Sequence, residues 1–178
     1  MLPSVRQWEN DESRTQFLPG WKALRAVMHK RLGDETGCER LFGAPDAEGN
    51  YPLADRLIAV CGGHFRDLLL LLRETVVRAK SLPITDDIIN LAIIAVRRNF
   101  LPIFTEDAKW LDEIANSRKA EVPDGIADSV ARLTRLLDTH FVLYLTNGED
   151  WYDIHPLIRE EVADIIQRHG ATAEPVSQ

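Results

Sequence analysis

The sequence predicts a mainly α-helical protein carrying one β-hairpin. Two observations predict it. Apolar residues recur at i, i+3, i+4 and i+7 in one segment after another, the period of a helix with a buried face. Against these stands a single β-prone pair of runs flanking Asn147-Gly148, whose residues both tolerate the positive φ of a type I′ turn. The composition is 45% hydrophobic and 28% charged, close to ordinary globular domains, so 178 residues can bury a core in one domain or two small ones.

Residues 2–17 read as an extended piece and a polar loop, because Leu2 precedes a proline and Asn10-Asp11-Glu12-Ser13 suits a turn. A helix is expected over residues 21–32, with Leu24, Val27, Met28 and Leu32 in register and Gly33 as its stop. Residues 37–50 hold three of the ten glycines plus Pro45 and read as a loop. A helix over residues 53–60 then ends at Gly62-Gly63. The next, over residues 64–80, puts Phe65, Leu68, Leu69, Leu72 and Val76 on one stripe. Leu70 and Leu71 widen that stripe, so burial on two sides is expected. Residues 86–101 open with Thr85 as a cap and two acids at the positive helix end, and Pro102 closes them. Ile88, Ile89, Ala92, Ile93 and Val96 form their apolar face.

The remainder changes character. Residues 105–117 are a helix with Trp110, Leu111 and Ile114 inward, and Pro123-Asp124-Gly125 is a turn. Residues 126–138 form a helix with Ile126, Val130, Leu133 and Leu137 in register. Strands are expected over residues 141–145 and 151–154, where the aromatic pair Trp151-Tyr152 suits cross-strand packing. His155 caps the turn into a closing helix over residues 157–168, and residues 171–178 read as a frayed tail. Trp8, Trp21 and Trp110 belong to no chemical constellation and are assigned to packing.

The formal net charge of -7 and pI near 5.2 argue against a nucleic-acid coat or a membrane-surface binder, since both need a strongly basic face. No run of about 18 apolar residues occurs, and Met1-Leu2-Pro3-Ser4 lacks the pattern of a signal peptide. Two cysteines, Cys38 and Cys61, are too few for a disulfide framework, and a reducing cytoplasm is the expected home.

Chemistry-bearing motifs are missing. There is no glycine-rich phosphate loop, dinucleotide fingerprint, Gly-x-Ser-x-Gly elbow or His-Glu-x-x-His pair. His29, His64, His140, His155 and His169 show no ligand spacing, and the cysteines form no zinc knuckle. No catalytic residue and no metal site is assigned, and the chain is not expected to be an enzyme.

The densest signal is Gly62-Gly63-His64-Phe65-Arg66-Asp67-Leu68-Leu69. Paired glycines allow a tight turn between helices, and Arg66 then lies in the first turn of the next helix, opposite Phe65 and Leu69. Its rigid, always charged fork suits an anion such as phosphate. This segment resembles the second sensor motif in the helical lid of AAA+ ATPases, particularly prokaryotic ones related to origin-recognition and defence ATPases. The resemblance implies that Arg66 is the arginine pointed at nucleotide phosphates and that Gly62 and Gly63 form the turn before it. Leu2-Pro3-Ser4-Val5, Leu18-Pro19-Gly20 and the helix ending in Lys30-Arg31 resemble the passage from such an ATPase core into its lid. Residues 144–157 resemble the hairpin of a winged-helix domain that often follows a lid.

The implied layout is a helical lid-like domain over residues 1–104, a winged-helix domain over residues 105–170, and the tail. The family's nucleotide-binding core has no counterpart in this sequence. The resemblance therefore implies a piece of an ATPase, or one subunit of a split ATPase, with ATP and magnesium bound only alongside a separate core. An ATPase core and a protein at the winged helix are the expected partners. A winged helix also invites DNA, with Arg132 and Arg135 on the helix before the hairpin as its cations, but Glu149 and Asp150 at the wing tip repel phosphates. Arg97 and Arg98 complement the end of their own helix. The alternatives are a stand-alone winged-helix DNA-binding regulator and a protein-interaction module.

Overall fold

Gly33 turns the chain sharply between its first two helices, and such local punctuation sets out a mainly helical fold. The structure, a computed structural model, describes residues 4–11, 13–122, 128–147 and 149–170. Among them are eight α-helices and one antiparallel two-stranded hairpin. The chain divides into two compact units, Ser4–Asn99 and a second beginning at Phe100. No single helix among the described residues is long and apolar enough to cross a membrane.

The first unit holds α1 (Leu18–Leu32), α2 (Asp34–Phe42), α3 (Pro52–Val60), α4 (Phe65–Arg78) and α5 (Asp86–Arg97). Proline stands in the first turn of α1 and of α3, where its missing N–H costs nothing. Gly33, at φ 83°, donates its N–H to the His29 carbonyl and closes α1. α4 packs on α5, α1 on α2 and α3, and α3 on α4 and α5. Leu24, Met28, Leu57, Ile58, Leu68, Leu71 and Ile89 fill the centre and are wholly buried.

Two expectations fail here for stated reasons. The glycine-rich stretch 37–50 is not all loop, because α2 occupies its start. Gly37 lies inside that helix: a Cβ there would stand 1.8 Å from the Leu32 carbonyl oxygen, so glycine permits a close backbone approach instead of marking a turn. Thr85 sits at the N-cap of α5, yet its side chain makes no capping hydrogen bond, and only Asp86 and Asp87 complement that helix end.

An extended strap precedes α1 and is tied down by buried hydrogen bonds. The Gln7 side chain donates to the Ile58 carbonyl, and the Gln7 carbonyl accepts from Phe17 N–H at 2.8 Å and from the Trp21 indole at 2.9 Å. Trp8 meets Trp21 edge to face at 5.3 Å, so both indoles pack within this unit.

The second unit holds α6 (Thr105–Ser117), α7 (Ser129–Asp138), β1 (Val142–Asn147), β2 (Glu149–Ile154) and α8 (Arg159–Gly170). Val142 pairs with Ile154 and Asn147 with Glu149; the hairpin packs α7 on β1 and α6 on β2, and α6 also packs on α8. Leu136 is the fully buried residue of α7, whereas Val130 is 66% exposed, so the stripe expected through Val130 is displaced. The expected turn at residues 123–125, the start of α7 at residue 126, Gly148 and the tail at residues 171–178 lie outside the described residues. As expected, His155 caps the turn before α8: its Nδ1 accepts from Leu157 N–H at 3.3 Å. Phe100 stacks on that imidazole at 4.7 Å and meets Phe141 at 5.5 Å, which places it with this unit.

Candidate partner-binding groove

α4 carries two apolar stripes. Leu68, Leu71, Leu72 and Thr75, spaced i, i+3, i+4 and i+7, face the core and are buried. Arg66, Leu69, Leu70, Arg73, Val76 and Val77 share the opposite spacing and line a groove of about 640 Å³ with Arg31 and Leu32 from the end of α1. Of the stripe expected to be buried, Leu68 and Leu72 are inside and the rest is not. Phe65 and Val76, expected inside, are 47% and 49% exposed, and Arg66 and Leu69, expected on opposite sides, border the same groove.

The turn that launches α4 is fixed by backbone geometry. Gly62 and Gly63 take φ of 61° and 72°, two successive left-handed conformations that side chains resist. The Gly63 carbonyl accepts from Val5 N–H at 3.0 Å, and a Cβ on Gly63 would stand 2.0 Å from the Val5 carbonyl oxygen. The glycine pair thus docks the strap and sets where α4 begins, and with it the position of Arg66.

Arg31, Arg66 and Arg73 are exposed, and among the described residues none of them makes an ion pair or hydrogen bond. Contrast their neighbours: Arg25 holds Asp55 through two bonds of 2.6 and 2.8 Å, and Arg78 pairs with Glu74. Among the described residues, no acidic one lines the groove. Three guanidinium groups around an aliphatic floor offer planar, charged donors to a carboxylate or phosphate and apolar area to its carrier.

The other arginines singled out from the sequence are committed internally. Arg132 Nε donates to Asp107 at 2.6 Å and lies over the Trp110 ring at 5.6 Å, and Arg135 donates to the second Asp107 oxygen at 2.8 Å. Burial pushes the Asp107 carboxyl up, but the hydrogen bonds and charges of Arg135 and Arg132 outweigh it and hold it below the ordinary carboxylate range. These two arginines join α7 to α6, a structural duty that competes with reading DNA. Asp153 on β2 is held likewise by Arg118 and Arg159, both at 2.6 Å.

Neither cysteine offers a reactive thiol. Cys61 is wholly buried, and burial pushes it up to about 12. Cys38 is raised by burial and then by Asp34 and Glu35. A small cavity of the first unit, beside Cys38, His29 and Tyr51, is about 20 Å³ and has room for roughly one water.

Sequence reasoning found Arg66 and its glycines but missed Arg31, Arg73, Val76 and Val77. The 66-69-70-73-76-77 spacing was present all along, concealed by a second apolar stripe in the same helix. Fold and site together define a mainly helical, two-unit protein with a cationic, aliphatic groove. No protein-family model, curated protein or solved structure matches the chain.

Proposed function

We propose that this chain is a regulatory, partner-binding segment that works beside an AAA+ like ATPase core, with Arg66 reading the phosphates of nucleotide held by that core. The observation that carries the reading is the setting of Arg66: exposed, without an ion pair among the described residues, in the first turn of α4, and placed by the Gly62-Gly63 turn that Val5 holds through a backbone hydrogen bond. A surface arginine kept for solubility needs no such fixed launch point, whereas an arginine that must meet an anion on another body does. The motif resemblance supplies the identity of the anion. The second unit, with its hairpin and closing helix, would relay the nucleotide state to a protein partner. A DNA-reading role is not favoured, because Arg132 and Arg135 are occupied by Asp107.

The test is affinity purification of the chain with and without Mg-ATP, followed by turnover measurements on the reconstituted complex. An ATP-enhanced phosphate-loop ATPase whose turnover changes with Arg66→Ala is the expected result. Unaltered turnover with the variant complex intact would sink the assignment of Arg66.

A further inference from the structure

We infer that the α1–α4 groove is a docking site for an acidic amphipathic helix of a partner polypeptide. The nucleotide reading uses Arg66 alone; it leaves Arg31, Arg73 and the aliphatic floor without a role. Six of the nine residues lining the groove are aliphatic, Leu72 of the core-facing stripe among them, and Val77 is 69% exposed on its wall. Apolar surface gathered into a concave strip and rimmed by charge is the signature of a covered surface.

The spacing of the cations selects the shape of the occupant. Arg66 and Arg73 are seven residues apart on α4, so they stand two turns, roughly 10 Å, from one another along one face. A compact ligand such as one phosphate meets both only if the two side chains converge on it. A helix lying along α4 can meet both by placing acidic side chains one to two turns apart on its flank and leucine-like side chains on the floor. Arg31 supplies the opposing cation from the end of α1.

Charge decides the class of partner. The chain carries a net charge of -7, so ligands of high charge density, nucleic acid and anionic bilayers above all, are repelled at long range more than a peptide with a few carboxylates. A local cluster of three arginines on such a protein suits a ligand with few, well-placed carboxylates and a mostly apolar contact face.

The test uses the full chain and a fluorescein-labelled synthetic peptide as long as α4, with Leu at i, i+3, i+4 and i+7 and Glu on both flanks. Saturable binding by anisotropy and a gain of peptide helicity are expected. Arg73→Glu and Val77→Asp should each weaken binding about tenfold, while Arg40→Glu, on α2 outside the groove, should not. Both groove positions are exposed, so unchanged melting curves will show that the variants fold. Three results would overturn the inference: no saturable binding, equal binding of a scrambled peptide of the same composition, or undiminished binding by both groove variants. Stronger binding to phosphatidylserine vesicles than to the peptide would overturn it too. Arg66 is untouched throughout, so this outcome is independent of the turnover test.

Discussion

Gly63 and Val5 meet backbone to backbone: the Val5 N–H donates to the Gly63 carbonyl at 3.0 Å, and Gly63 has no room for a Cβ. Through this pair the strap before α1 is joined to the turn that sets the start of α4. Gly63→Ala combines a disfavoured φ of 72° with a backbone clash, and is expected to cost about 2–4 kcal/mol. Gly49 has a similar φ of 79° but open space around it, so Gly49→Ala should cost only about 1 kcal/mol. Urea unfolding of the two variants separates the clash from the φ penalty.

The two stripes of α4 predict opposite responses to truncation. Leu71 is wholly buried, and Leu71→Ala should lose about 2–5 kcal/mol through lost transfer energy and a cavity. Val77→Ala, on the groove side, should change stability by less than about 0.5 kcal/mol. Equal losses at the two positions would mean that the groove is filled within the folded chain.

Asp107 makes the second unit acid-sensitive. Its carboxyl titrates below the ordinary value of 3.8 in the folded state, so its stabilising effect is complete above that value and disappears as pH falls through the lower, folded one. Arg135 is half exposed to solvent, which screens its share. Asp107→Asn should lower stability by about 1–3 kcal/mol at neutral pH, and the gap to wild type should close as pH falls through the lowered, folded-state value. Thermal melts across pH check both the size and the direction.

Cys61 and Cys38 should be silent toward Ellman's reagent at mildly alkaline pH while the chain is folded. Burial raises both thiols, Cys61 to about 12, and denies the reagent access. In denaturant both should react. Rapid labelling of the folded protein would show that α2 or the turn after α3 opens readily.

Local patterns alone determined much of this protein. The period of Thr105–Ser117, with Trp110, Leu111 and Ile114 inward, gives α6 its bounds and face, and the β-prone runs around Asn147 and Gly148 give the hairpin. His155 before Pro156 was legible because the capping bond spans only two residues. Each of these features rests on neighbours in the chain.

Only tertiary structure decided the rest. Gly37 looks the same in a sequence whether it bends a loop or admits the Leu32 carbonyl, and the difference lies in which backbone comes near it. The helix over Phe65–Arg78 has two apolar stripes of equal period, so periodicity cannot choose the face that meets α5 and the face that joins Arg31 around the groove. Packing makes that choice, because one stripe can be buried against the neighbouring helices only by leaving the other open.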